Sequence, residues 1–171
     1  MGAQTIGASL LNGFAGTYAQ QPDMIIDTHP IKSTSAEVFF GQAVIDGADG
    51  TVTKASAAAT AANFVGFAAR EVKTVYSYTD PNVGGSYLAG EAAAIFKRGV
   101  ISAICPVGSP AKNGKVYLRI AANSSIPTGI VGDITANADG GNTVELTMCR
   151  FTGTKDTNNV VGVRILSLNA A

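Results

Sequence analysis

Short apolar runs closed by glycine, proline or asparagine recur along this chain from about residue 36 onward. Several of them alternate. In residues 143–151, Val144, Leu146 and Met148 fall on one side, while Glu145 and Thr147 fall on the other. A period of two sends successive side chains to opposite faces of a β-strand. The pattern therefore predicts half-buried strands rather than helices.

Other segments have the same strand character, and Asp-Gly and Asn-Gly pairs between them are typical of tight hairpin turns. The tract 55–62 holds only Ala, Ser and Thr and is predicted to be a loop. About ten short strands, spaced by about 8 to 12 residues, predict an all-β fold, either a small β-barrel or a two-sheet sandwich. The remaining predicted strands cover residues 37–40, 42–45, 51–54, 63–72, 92–96, 100–105, 116–120, 128–135 and 161–165.

The first 35 residues have a different composition. They are rich in Gly, Ala, Ser, Thr and Gln, and they show no sustained period of 2 or 3.6. This predicts two parts: an extended N-terminal arm, residues 1–35, and a β domain, residues 36–171.

The predicted arm carries nine sizeable apolar residues, which is unusual for a plain polar linker. Their burial alone does not offset the backbone entropy lost when 35 residues become ordered. We therefore expect the arm to order where it adds to a partner's sheet edge or packs in a partner's groove. The predicted contact residues are Ile6, Leu10, Leu11, Phe14, Tyr18, Met24, Ile25, Ile26 and Ile31.

The charge balance restricts the kinds of partner. Twelve basic and twelve acidic residues give a formal net charge of zero, and no run of like charge occurs. A nucleic-acid groove needs a cationic footprint, so we predict no nucleic-acid partner. No stretch reaches the 18 or so apolar residues of a membrane span, so we predict no membrane partner. Only 14% of residues are charged, against about 25% in an ordinary soluble domain, which favours a surface covered by protein partners.

Candidate chemistry is sparse. Residues 108–116 resemble a phosphate-binding loop, but five residues separate the glycines and Val116 follows the lysine, so the motif fails. His29 is the single histidine and lies in the predicted arm, where no rigid third group would orient it for catalysis. Cys105 and Cys149 lie within strand-like runs and are predicted to be buried free thiols. The sequence predicts no catalytic residue, no metal site and no cofactor.

Aromatic residues cluster around a loop rich in chain breakers, residues 79–85. Tyrosine is enriched in protein interfaces, and these side chains are a candidate oligomer interface. The alternative is a platform on which sugars stack. The candidate interface consists of Tyr76, Tyr78, Tyr87, Phe96 and Arg98.

Five segments carry a resemblance to the capsid decoration, or structural cement, proteins of tailed bacteriophages. The resemblance covers residues 37–120 and is one of pattern and spacing. The segments are Gly41-Gln42-Ala43-Val44, Val65-Gly66-Phe67-Ala68, Tyr87-Leu88-Ala89-Gly90-Glu91, Lys97-Arg98-Gly99-Val100-Ile101 and Gly114-Lys115-Val116-Tyr117.

The resemblance implies a non-enzymatic protein that assembles in the host bacterial cytoplasm and binds the outer surface of the mature virion head. It implies a homodimer or homotrimer that bridges neighbouring major capsid protein subunits and stabilises the shell. The arm would then lie across adjacent capsid subunits. Other virion structural proteins, such as tail-tube or head-tail proteins, carbohydrate- or receptor-binding β-modules, and a small β-barrel hydrolase remain the alternatives.

Overall fold

A computed structural model of the chain describes residues 11–71 and 85–166. Within these residues the chain forms eleven strands and one 3₁₀ turn, Gly140–Asn142. The prediction of an all-β fold is confirmed. The strands are β1 (Tyr18–Pro30), β2 (Val38–Phe39), β3 (Ala43–Asp46), β4 (Val52–Lys54), β5 (Phe64–Ala68), β6 (Ser86–Tyr87), β7 (Ala92–Ile104), β8 (Lys115–Arg119), β9 (Ile134–Thr135), β10 (Thr143–Phe151) and β11 (Val160–Ile165).

Nine of these strands form one antiparallel sheet that curls into a half-barrel. Eight follow each other in the order β4-β3-β5-β7-β11-β10-β8-β9, and β1 joins the sheet by pairing with β7. The other two, β2 and β6, form a small separate sheet. The structure thus selects a curled sheet from the predicted barrel and sandwich architectures.

Strand β7 is the centre of this sheet. It pairs with β1 along most of its length, with β5 near its start and with β11 over its second half. The two apolar runs predicted at 92–96 and 100–105 are therefore parts of one strand. Gly99 lies between them with φ +107°, and a Cβ there would collide with the backbone oxygen of Asp23 in β1. Glycine permits this close approach of two backbones.

The main core lies against one face of the curled sheet. The predicted alternation holds there: Leu146 and Met148 are buried, and so are Val161, Val163 and Ile165. A second cluster packs around Ile95 on the opposite face of β7. Its members include Ile31, Val44, Val52 and Ala93.

The second cluster is enclosed by a small barrel-like arrangement. Strands β4, β3, β5, β7 and β1 follow one another around it, and a single parallel bridge between Ile31 and Val52 joins the two outer members. The backbone N–H of Lys32 also donates to the carbonyl of Val52, at 2.9 Å. This end of the arrangement is therefore closed, whereas β1 and β4 have no other pairing with each other among the described residues.

The structure corrects our expectation for residues 18–31. We expected them to order only against a partner, yet residues 18–30 form β1 and pair with β7 of the same chain. The backbone hydrogen bonds that an isolated arm lacks come from this neighbouring strand. Ile31 is 1% exposed in the second cluster, so a contact with another protein would require it to leave the core.

The predicted strand at residues 128–135 is also wrong for most of its length, because only Ile134–Thr135 is strand. The preceding residues form turns that cover the side chain of Arg119, which is 1% exposed. Gly129 packs directly against this guanidinium group, and Gly132 has φ +95°. A flat strand could not wrap around the buried arginine in this way.

The two cysteines are free and buried, as predicted. Burial raises the pKa of Cys105 to about 11 and that of Cys149 to about 12. Both side chains are therefore protonated, unreactive components of the core at neutral pH.

Candidate interaction surface

The segment before β1 is fastened to the domain by hydrogen bonds to Asn12. Its backbone N–H donates to Asp156 Oδ2 at 2.8 Å, and its side-chain Nδ2 donates to the carbonyl of Val160 at 2.8 Å. Its own carbonyl accepts from Ser102 Oγ, also at 2.8 Å. Residue 12 is therefore held against β7 and the start of β11.

A second set of bonds fixes the turn that leads into β1. Gly16 N–H donates to the Ser102 carbonyl at 2.7 Å, and Arg70 N–H donates to the Gly16 carbonyl at 2.8 Å. Gly16 has φ +80° and lies close to the backbone of Arg70 and the Cβ of Phe40. The described part of the predicted arm is thus built into the domain.

This fastened segment presents large apolar side chains to solvent. Leu11 is 62% exposed, Phe14 is 68% exposed and Tyr18 is 37% exposed. The guanidinium of Arg70 lies 5.1 Å from the ring centre of Phe14 and 5.7 Å from that of Phe40. We call Leu11, Phe14, Tyr18 and Arg70 the N-terminal surface; aromatic residues and arginine are the types that most often anchor protein interfaces.

The exposed apolar residues are concentrated on this part of the chain. Eight large hydrophobic residues are exposed among the described residues, and half of them lie between residues 11 and 25. Besides Leu11, Phe14 and Tyr18, this stretch contains Ile25 on β1, which is 47% exposed. Its neighbours Met24 and Ile26 pack against the main core. The remaining four are Phe39, Leu88, Ile130 and Leu166.

A groove of about 780 Å³ opens beside Ile25. It lies where β1 and the β3–β4 hairpin diverge from the Ile31–Val52 bridge. Val52 of the second cluster and Val65, which packs against that cluster, line it, with exposed Leu166 at one side. The lining also includes Asp27, His29, Asp46, Phe64, Lys97 and Arg98.

The charged residues of the groove mostly neutralise one another. Lys97 Nζ lies 2.8 Å from Asp27 Oδ2, and this hydrogen bond and charge hold the pKa of Asp27 below its ordinary value. Arg98 Nε donates to Asp23 Oδ1 at 3.1 Å. The Nε2 atom of His29 is buried and has no hydrogen-bond partner among the described residues.

Two members of the predicted oligomer interface are core residues. Phe96 is fully buried and Tyr87 is 1% exposed, with its hydroxyl donating to the Ala69 carbonyl at 2.9 Å. Burial raises the pKa of Tyr87 to about 12. Neither side chain is available to a partner or to a stacked sugar. Arg98 is exposed, as an interface residue would be, but it is paired with Asp23 of β1.

Four of the predicted contact residues lie outside the described residues: Ile6, Leu10, Tyr76 and Tyr78. Of the others, Leu11, Phe14, Tyr18 and Ile25 are exposed.

Sequence reasoning missed Arg70 and Leu166. Arg70 lies two residues after the end of β5, and only its proximity to aromatic rings distinguishes it from other surface arginines. Leu166 directly follows the last strand and would continue its alternation on the outer face, next to Arg164. The alternation of inward- and outward-facing residues along this strand is visible in the sequence, and it could have identified Leu166 as an exposed apolar residue.

A polar network supports the loop between β8 and β9. Arg119 Nη1 lies 2.9 Å from Asp139 Oδ2, while Asn123 Nδ2 donates to the same carboxylate at 2.9 and 3.0 Å. Asp133 is 5% exposed and accepts from Gln42 Nε2 at 2.8 Å. Burial raises the pKa of Asp133 to about 6, against the opposing effects of Gln42 and Lys54.

The described residues contain no cluster of three or more His, Cys, Asp or Glu side chains that could hold a metal ion. Within the same residues, no helix is long and apolar enough to cross a membrane.

Comparisons with known proteins give the family. A chain of the solved structure "The capsid of Myoviridae Phage XM1" has a TM-score of 0.70 and 19% identity, with 94% of each chain covered, and it shares this fold. A chain of the solved structure "The crystal structure of head fiber gp8.5 N base in bacteriophage phi29" has a TM-score of 0.41 and 11% identity, with 83% of this chain and 93% of that chain covered. A search of curated proteins found no match. The family model described as XM1 gp53 minor capsid protein matches residues 3–165, and the chain therefore belongs to this family of phage capsid-associated structural proteins.

Proposed function

We propose that this protein decorates the outer surface of a mature phage head as a homo-oligomer and stabilises it by bridging neighbouring major capsid protein subunits. The N-terminal surface would make the principal contact with the shell. The proposal assigns the chain no catalytic activity, metal or cofactor.

The concentration of exposed apolar residues between positions 11 and 25 is the observation that carries the proposal. These side chains are held in place by hydrogen bonds from residues 12–17 to the domain. A contact that is already ordered loses less conformational entropy on binding. The N-terminal surface therefore has the chemistry and the rigidity of a protein-binding site.

The charge of the chain supports the outer position. A protein on the inner surface of the head would face packaged DNA, where a cationic surface releases counterions and gains affinity. This chain has a formal net charge of zero, and only 14% of its residues are charged. Such a composition suits a face covered by capsid subunits better than one exposed to phosphate groups.

Bridging requires only modest affinity from each copy. An interface of about 1,000 Å² is enough for a specific contact, and an oligomer that touches several subunits gains from a raised effective concentration. Because it would bind the assembled shell and not separated subunits, mass action would stabilise the shell.

The experiment is reconstitution of heads that lack the protein. Purified wild-type protein is added, bound copies are counted by sedimentation and cryo-electron microscopy, and shell stability is followed by thermal release of DNA. We expect external density and a higher release temperature. The Phe14→Asp variant should lose at least tenfold in occupancy, whereas Ile130→Asp, which also places a charge at an exposed apolar position, should bind like wild type. Density on the inner surface, or full occupancy by Phe14→Asp, would refute the proposal.

A further inference from the structure

The groove beside Ile25 lies along the unpaired edge of β1, opposite the turn that joins β3 to β4. Strand β1 pairs only with β7, and β4 pairs only with β3, apart from the Ile31–Val52 bridge, within the part of the chain that the structure describes. Because the bridge is parallel, the part of β1 that precedes Ile31 lies opposite the β3–β4 turn, and the groove opens there. An extended segment placed there could hydrogen-bond to exposed backbone groups, as in β-strand addition.

The lining of the groove favours an uncharged, apolar segment. Ile25 and Leu166 are about half exposed and offer apolar contact. The two cations of the lining are paired with Asp27 and Asp23, so an occupant need not supply a charge. The buried Nε2 of His29 lacks a partner among the described residues, and a backbone group of an occupant would satisfy it.

Residues 1–10 of this chain have matching chemistry. They contain no charged side chain, and Ile6 and Leu10 are spaced four apart. In an extended strand this spacing puts both side chains on the same face, roughly 13 Å apart. Ten extended residues span at most about 33–36 Å, which is enough to reach a neighbouring molecule.

The point at which this segment leaves the domain favours a second copy over the same chain. Asn12 is fastened to Val160, at the first residue of β11, whereas Leu166 of the groove follows its last residue. These two positions are roughly 20 Å apart along the strand. To reach its own groove, the segment would have to reverse direction and run back along the whole of β11.

We propose that residues 1–10 of one copy lie as an added strand on the free edge of β1 of a second copy, in the groove beside Ile25. This inference rests on the homo-oligomer of the proposed function and names the contact that forms it. Ile6 and Leu10 would pack against Ile25 and Leu166, and His29 Nε2 would bond to the backbone of the incoming segment.

The test is disulfide trapping between two chains of different size. An Ile6→Cys chain is mixed with a longer, tagged Leu166→Cys chain, in the absence of shells, and oxidised. We expect a covalent heterodimer within minutes. The matched control pairs the Ile6→Cys chain with an Ile130→Cys chain, because Ile130 is equally exposed but lies outside the groove. Cys105 and Cys149 are buried and should not contribute.

A heterodimer yield no higher than in the control would overturn the inference. A cross-link within one chain of the Ile6→Cys/Leu166→Cys double variant, with no dimer, would overturn it in favour of docking on the same chain. As a second measurement, Leu166→Asp should weaken self-association at least tenfold in analytical ultracentrifugation, and unchanged association would contradict the inference. Because these measurements use no shells, their failure is distinguishable from failure to bind the head.

Discussion

The guanidinium of Arg70 lies 5.1 Å from the ring centre of Phe14, which is 68% exposed. An aromatic ring with so much exposed surface would otherwise be free to change rotamer. The cation on one face and the fastened backbone on either side limit that freedom. Arg70 therefore orients an exposed anchor residue.

We predict that Arg70→Ala weakens shell binding about two- to fivefold with little loss of folding stability. A cation–π contact at an exposed site contributes about 0.5–1 kcal/mol, and the side chain of Arg70 is exposed. Binding is measured by titration of depleted heads, and stability by urea denaturation. Arg164→Ala, which removes an exposed arginine on β11, should leave binding unchanged. If Arg70→Ala and Arg164→Ala weaken shell binding equally, the loss comes from removing a positive charge and not from the contact with Phe14.

Gly99→Ala should destabilise the protein more than Gly90→Ala. Both glycines have positive φ, at +107° and +83°, but a Cβ at position 99 meets the Asp23 backbone and one at position 90 meets nothing within 4 Å. We expect a loss of roughly 1 kcal/mol at Gly90 and about 2–4 kcal/mol at Gly99. Urea denaturation gives both values.

Hydrogen exchange locates the effect of Gly99→Ala. Amide protection should fall in β1 first, because its pairing with β7 must shift to make room for the new methyl group. Equal stability of the two alanine variants, or unchanged protection in β1, would contradict this packing.

Gly129→Ala should be destabilising because the new methyl group meets the buried guanidinium of Arg119. We expect a loss of about 1–3 kcal/mol. The matched control is Gly141→Ala, where nothing lies within 4 Å and φ is not positive, and where we expect a change within about 0.5 kcal/mol. A double-mutant cycle with Arg119→Ala tests the contact, since the cost of Gly129→Ala should shrink once the side-chain atoms that meet the new methyl group are gone. If Gly129→Ala is equally destabilising in both backgrounds, its methyl group clashes with a group other than the Arg119 side chain.

Asp133→Asn should change how stability depends on pH. Burial raises the pKa of Asp133 from 3.8 to about 6, so folding favours the protonated carboxyl group. Its favourable contribution is complete below pH 4 and is lost as pH rises through 6. Relative to wild type, the variant should therefore gain stability between pH 4 and 6, up to roughly 3 kcal/mol, and then level off.

The difference between the two pH profiles isolates this residue. Asp27, Asp139 and Asp156 have lowered pKa values and act in the opposite direction, but they are present in both proteins. Asparagine keeps an oxygen that can accept from Gln42, so the local hydrogen bond survives. Urea denaturation from pH 4 to 8 measures the two curves. Parallel curves would show that Asp133 is not the titrating group.

The local pattern of apolar and polar residues was sufficient to predict most of the strands. The alternation in β10 and β11 identified which side chains are buried, because each of those strands has one face on the main core. It was insufficient for β1, where residues such as Gln20 and Thr28 conceal the period and where the partner strand lies more than 60 residues away. Long-range pairing of this kind has no local signal.

The candidate surface was predictable in part. The apolar residues of the first 26 positions pointed to an interface, and Leu11, Phe14, Tyr18 and Ile25 are exposed. Burial of Ile31 and Tyr87 depends on the closing bridge to Val52 and on packing with Phe40, and neither contact can be inferred from one strand alone. The groove depends on where the β3–β4 turn lies relative to β1, which is a property of the assembled sheet.

The long pairing of β1 with β7 also determines how the molecule would respond to mechanical load. A pull on the segment before Tyr18, directed along the strand, acts in shear on hydrogen bonds spread from Tyr18 to Pro30. Under shear these bonds carry the force at the same time and must break together. In a hairpin pulled apart from one end, the bonds break one after another. Such a strand should resist extraction from the domain until most of these bonds break at once.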